Sequence, residues 1–249
     1  MAARLLPILL GTLLAAAALA GCAPEPGSTG NPSPTTGSSA TTPAPPSATT
    51  PAPAPSPTAE PSAAPDPWTE FSDARGPVSF EIPPGWSVAE VAASEDGMLQ
   101  LAVRDDAGAT RLIFANRVSG LGGACTPALP VLRIVEHDAT PLEIPGFAAA
   151  ASDQLGRPLE APRVVYRVAE LPDGALGTLA VSNDRPQDSC MFYNLLQGAA
   201  GSLVFADALQ IDSVAPGRVF PDAAAAEAFT GTAEYATLKR ILGSLRLKA

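Results

Sequence analysis

The chain has one histidine, three cysteines, two lysines and only 5% aromatic residues in 249 positions, and each scarcity excludes a chemistry. Within residues 68–249, His137 and two cysteines fall short of the usual four Cys or His ligands of a structural zinc site, so no metal centre is expected. Basic residues are outnumbered 15 to 25 by acidic ones. All of the basic residues except Arg4 fall within 68–249, where 14 of them meet 22 Asp and Glu. That balance lacks the basic face nucleic acid demands, so no nucleic acid is expected as a partner, and it gives an anionic membrane surface no electrostatic purchase on this part of the chain. Ser119 and Ser182 stand outside any G-x-S-x-G frame, which excludes the nucleophile elbow of an α/β-hydrolase. Asp184–Asp188 lacks the ligand spacing of a calcium loop and contains Pro186. Gly120, Gly122 and Gly123 precede Cys125 without the basic residue or amphipathic helix of a phosphate cradle, so no cofactor is expected. A carboxylate pair for glycoside cleavage stays open, because its separation in space is not written in the sequence.

What the chain does have begins at its N-terminus. Arg4 precedes an apolar stretch from Leu5 to Ala20, which is short for a bilayer span and holds Pro7 and Gly11. A positive start followed by a short apolar core is the pattern of a secretory signal. Its closing residues, Leu19-Ala20-Gly21-Cys22, resemble the signal of bacterial lipoproteins. The resemblance implies a signal peptide over 1–21, cleavage between Gly21 and Cys22, and a lipid on the Cys22 thiol. It also implies a location on the extracytoplasmic face of the cell membrane, where two or three acyl chains such as palmitate hold a protein stably.

From Cys22 to Pro67 the composition shifts to Pro, Ser, Thr, Ala and Gly, with 14 of the chain's 28 prolines and no aromatic residue. Such a segment buries too little apolar surface to offset its chain entropy, and a disordered tether is expected. Residues 68–249 are enough for one domain with a sizeable core. Cys125 and Cys190 are the only cysteines in it; outside the membrane, an even pair reads as a disulfide.

Within the domain the hydrophobic pattern is mostly period two. Val78, Phe80 and Ile82 alternate with polar residues before Pro83-Pro84-Gly85 turns the chain into Trp86–Val91, and Leu99, Leu101 and Val103 follow. Asp105-Asp106-Ala107-Gly108 connects these to Arg111–Val118. Arg163–Glu170 and Gly177–Ser182 flank Pro172-Asp173-Gly174, and Cys190–Gln197 and Ser202–Ile211 flank a Gly/Ala turn. Sequential strands with short turns predict a meandering antiparallel sheet. Helical signals gather at the C-terminus: Asp222–Phe229 is alanine-rich. Beyond Thr232, a capping residue, Tyr235, Leu238, Ile241 and Leu242 recur at helical spacing. The expected fold class is therefore α+β, a single domain whose C-terminal helix packs on the sheet.

Phe80-Glu81-Ile82-Pro83-Pro84-Gly85-Trp86 and the closing stretch from Tyr235 to Leu247 resemble the two ends of PsbP-like lipoprotein domains. The resemblance implies an antiparallel sheet flanked by helices and a noncatalytic accessory or binding role, and it transfers no site residue.

Three side-chain groups invite a functional reading. On a regular strand Glu136 and Asp138 share the face opposite His137, so the three do not converge, and solvated edge polarity is expected. Arg163 and Arg167 share a strand face and are expected to pair with acidic neighbours on a solvated surface. Trp86 is expected in the core. The function expected is a membrane-anchored, extracytoplasmic binding or accessory module, with a protein or cell-wall component as partner. The alternatives are a carboxylate-based envelope hydrolase and a substrate-capturing lipoprotein of a transporter, the latter requiring two lobes around a cleft.

Overall fold

The structure, a computed structural model, describes residues 67–123, 125–212 and 218–248. Gly21, Cys22, the rest of the expected signal and the tether up to residue 66 lie outside the described residues.

The period-two segments form a large antiparallel sheet. Its order runs β3 (Ser87–Ala93), β4 (Leu99–Arg104), β5 (Thr110–Val118), β11 (Gly201–Ala206), β8 (Gly174–Ser182), β7 (Arg163–Leu171) and β6 (Arg133–Pro141). Two short strands join from the side, β10 (Leu196–Gly198) on β11 and β13 (Arg218–Phe220) on β8. A second sheet orders β1 (Thr69–Asp73), β2 (Val78–Ile82) and β14 (Arg246–Leu247), and β9 (Met191–Tyr193) pairs with β12 (Gln210–Asp212) as a two-stranded ribbon. The helices α1 (Ala223–Ala228) and α2 (Ala233–Gly243) have six and eleven residues. The described chain is thus mostly antiparallel sheet with few helices. It is sheet-rich rather than clearly α+β, a correction that follows from the brevity of the helices.

Both faces of the large sheet are covered. On one face Val164, Tyr166 and Val168 of β7 and Leu179 and Val181 of β8 join Phe80, Leu101, Phe114 and Phe205, together with Leu238, Ile241 and Leu242 of α2, in the main core. The apolar stripe of α2 is buried as its spacing predicts. Trp86 is only half-buried and packs at the margin of this core. On the opposite face lie two smaller clusters. Val165, Ala180, Val204 and Ala206 form one. In the other, Leu132, Ile134, Ala169 and Leu176 pack with Ile211 of the ribbon. A sheet covered on both sides leaves few strand positions open to water, which is why β7 and β8 are buried over most of their length.

The ribbon replaces two longer strands that period two predicts, Cys190–Gln197 and Ser202–Ile211. Each breaks at a polar residue. The Asn194 backbone N–H donates to Leu209 O at 2.9 Å. Its side-chain amide donates to Thr178 Oγ1 at 2.7 Å and to Ala208 O at 2.8 Å. Thr178 in turn donates to Asp207 Oδ1 at 2.7 Å. This network turns both strands off the large sheet and folds the ribbon across its back.

Candidate functional site

Glu136, Arg163 and Arg167 converge on the back face of β7, while His137 and Asp138 do not, and the structure differs from expectation in two ways. The register of β6 against β7 shifts between Glu136 and Asp138: Glu136 lies opposite Arg167, and Asp138 opposite Tyr166. One extra residue, His137, flips the side-chain phase. Glu136 and Asp138 therefore sit on opposite faces of the sheet, not on a shared one. Asp138 faces α2 and accepts hydrogen bonds from the Tyr235 hydroxyl and the Lys239 ammonium. Burial alone would raise the Asp138 carboxyl, but those two donors outweigh it and hold the group below its usual range. Burial, reinforced by Asp138, pushes the Tyr235 phenol up. His137 lies beside Tyr166, 6.4 Å between ring centroids.

The second difference concerns the arginines. They pair with acidic neighbours as expected, but under cover. Arg167 is 1% exposed. Each of its three guanidinium nitrogens meets an acceptor: Nε reaches Glu136 Oε2 at 3.1 Å, and the two terminal nitrogens reach Asp184 Oδ1 and Asp184 O, both at 2.9 Å. Arg163 shares Glu136 and also meets Glu160 at 2.9 Å and Asp184 O at 2.8 Å. Burying a guanidinium costs several kcal/mol unless its charge and N–H groups are matched. Carboxylates and a backbone carbonyl match Arg167 at every nitrogen, while Arg163 is matched at its terminal nitrogens and its buried Nε has no hydrogen-bond partner.

Above this network a cleft of about 390 Å³ opens between the 153–157 loop, the 184–189 loop, β9 and the loop ahead of Cys125. Asp153 builds one wall. Its Oδ1 accepts from the Leu155 and Arg157 N–H groups at 2.8 and 2.7 Å, a local turn that also holds the Arg157 guanidinium. Burial would raise the Asp153 carboxyl; those donors outweigh it and keep it below the usual carboxylate range. The opposite wall is the acidic loop. Asp184 serves Arg167, Asp188 accepts from Ile134 N at 3.0 Å, and Arg185 pairs with Glu160. Cys125 and Cys190 close the far end at disulfide distance, with 1.97 Å between sulfurs and 5.5 Å between Cα atoms. Cys125 is exposed and Cys190 buried. The exposed loop is thereby held against the ribbon. Gly122 O accepts the Tyr193 hydroxyl on the same edge.

The cleft's ionic groups are matched within the protein, so an ionic ligand would have to displace internal partners. What it leaves for a ligand is polar but neutralised: the Gln154 and Gln197 amides, the half-buried Phe192 and Tyr193, and Leu155, which is 78% exposed. Ser182 is buried on this face within hydrogen-bond distance of Leu195 O and Asp184, across the sheet from His137. Among the described residues no three His, Cys, Asp or Glu side chains group as metal ligands, and no helix is long and apolar enough to cross a membrane. The carboxyl pushed upward is Asp207, raised by burial to about 6 against hydrogen bonds from Thr178 and Leu179 N. It belongs to the strand-breaking network and not to the cleft.

A turn signal for Asp153 stands in the run Ser152-Asp153-Gln154-Leu155-Gly156, but nothing in that run points to a cleft. Arg163, Arg167, Asp184 and the cysteine pair are brought together; Glu136 joins them, while Asp138 and His137 do not. The chain matches no known protein-family model, no curated protein and no solved structure.

Proposed function

We propose that this protein is an extracytoplasmic lipoprotein whose folded part is a noncatalytic binding module of the cell envelope. The observation that carries the reading is the cysteine pair: the only two cysteines of residues 68–249 lie at disulfide distance, a pairing that persists in oxidising compartments. Leu19-Ala20-Gly21-Cys22 supplies the route there, with cleavage between Gly21 and Cys22 and lipid on Cys22. Residues 22–67 serve as a disordered tether in this reading, and the anchored domain is the sheet-rich module with its C-terminal helix. The closing stretch that resembles PsbP-like lipoprotein domains ends in β14, which pairs with β2 through Arg246–Ser79 and Leu247–Val78, and β2 leads into the opening stretch. The two stretches that carry the resemblance are thus neighbours in space. The neutralised polar cleft suits an uncharged, hydrogen-bonding segment of a protein or wall component better than a reacting substrate.

The test is fractionation of a bacterium expressing the full chain or its Cys22→Ser variant. The wild-type chain is expected in the membrane fraction with an acylated N-terminal peptide, and the variant in the soluble or secreted fraction. Unchanged membrane retention of the variant would overturn the lipid-anchor reading.

A further inference from the structure

A second cavity lies far from the cleft in character. It occupies about 330 Å³, within the range of about 300–1,000 Å³ usual for small-molecule sites. The β1–β2 turn, the turn before β4, the Phe147 loop, the β10–β11 hairpin and the β14 end all meet there. Its floor is apolar: Phe114 and Leu203 are buried, and Phe147 and Leu247 half-buried. Its walls are packed and pinned. Asn116 Oδ1 accepts from Leu99 N at 2.8 Å and Asn116 Nδ2 donates to Gly97 O at 3.0 Å. A Cβ at Gly76 would come within 2.7 Å of Leu99 Cδ2, and one at Gly198 within 3.1 Å of Phe147 Cε2.

The lining includes Arg75, Arg117 and Lys248 and no carboxylate, in a chain whose formal charge is −10. Arg75 is committed to Asp73 and Glu90 at 2.7 and 2.6 Å. Among the described residues Arg117 has one ion pair, with Asp96 at 4.0 Å and both side chains more than half exposed, a contact worth little. Lys248 has no ion pair among the described residues. Arg117 is also the only described non-glycine residue with positive φ, +52°. It sits where the register slips, Ser202 facing Val118 and Val204 facing Ala115. Holding a non-glycine residue there costs about 1 kcal/mol, and glycine would satisfy the bulge without that cost.

We infer that this groove binds a free single-chain amphiphile with an anionic head. The tail lies over Phe114, Phe147, Leu203 and Leu247, and the head sits between Arg117 and Lys248. The apolar floor takes the chain by burial; the two uncommitted cations select the charge of the head. The inference does not depend on lipidation of Cys22.

The test is calorimetric titration of the purified full chain with dodecanoate below its micellar concentration, alongside dodecanol, acetate and vesicles of anionic phospholipid. Dodecanoate is expected to bind one per chain, dodecanol about tenfold more weakly, and acetate and the vesicles not at all. Arg117→Gly with Lys248→Glu is expected to weaken dodecanoate about tenfold while the thermal midpoint stays level or rises. Ala199→Trp, placed on the exposed hairpin that borders the groove, is expected to abolish binding. Equal affinity for dodecanoate and dodecanol, unaltered binding by the charge variant, or capture by vesicles without binding of free dodecanoate would each overturn the inference.

Discussion

Arg167 is the residue whose sequence setting and structural setting differ most. In the sequence it alternates with apolar neighbours on β7, as a solvated strand residue does. In the fold it is buried beneath the ribbon and the 184–189 loop, matched by Glu136 and Asp184. Arg167→Met would keep much of its volume and remove its charge, leaving two carboxylates short of a partner. A loss of about 3 kcal/mol in urea denaturation is expected. Arg133→Met breaks an ion pair with Glu170 whose arginine is 68% exposed, and a change below about 1 kcal/mol is expected there. Equal effects for the two variants would refute the assignment of Arg167 as a buried, matched charge.

Asp207 gives a pH signature. The residue keeps some open surface, but its carboxyl is enclosed, and burial raises it from 3.8 to about 6. A carboxyl raised in the folded state binds more protons folded than unfolded between pH 4 and 6, so its contribution lowers stability as pH rises through that window. Asp207→Asn keeps an acceptor for Thr178 and Leu179 N, both of which use Oδ1. The variant is expected to gain about 2 kcal/mol over wild type at pH 7 and almost nothing at pH 4. Chemical denaturation at the two values checks it, and a gain independent of pH would count against the burial account.

Among the elements, α2 is the one whose sequence and structure agree most closely. Thr232 caps it, its hydroxyl accepting from Tyr235 N at 3.1 Å, and Tyr235, Leu238, Ile241 and Leu242 are buried. Helical spacing and a capping residue are local properties, which is why both were legible. Thr232→Ala is expected to cost about 1 kcal/mol, read from the thermal or urea midpoint, with Thr232→Ser close to wild type. The strands β2, β4, β5, β7 and β8 were legible for the same reason: alternation and turn residues act over a few positions. The β6 bulge was not, because an inserted residue leaves no mark in a pattern of mixed polar residues. The ends of β9 and β11 were also hidden. Asn194 turns its strand through bonds to Thr178, Ala208 and Leu209, and Asp207 through bonds to Thr178 and Leu179, and neither residue declares that from its neighbours alone.

At the scale of the whole molecule, Cys125 and Cys190 close a loop that spans 65 positions and clamp an exposed loop to the back of the sheet. Replacing both by serine is expected to lower unfolding free energy by about 4 kcal/mol on the chain-entropy account. Wild type under reductant should approach the variant in urea. An unchanged midpoint in both comparisons would show that the pair contributes no such constraint.

Composition and short-range pattern alone determined the scarcity of histidine, cysteine and lysine, the N-terminal residues that resemble a lipoprotein signal, the antiparallel strands and the C-terminal helix. Each depends on residue type or on neighbours a few positions apart. Only the tertiary structure decided that the sheet is covered on both faces, that Arg167 is buried while Asp138 turns toward α2, and that a neutralised cleft and a cationic apolar groove exist. Those outcomes depend on register and on contacts between segments tens of residues apart. A one-residue slip in strand pairing reverses every side chain beyond it, and the sequence of a strand carries no record of what will lie across it.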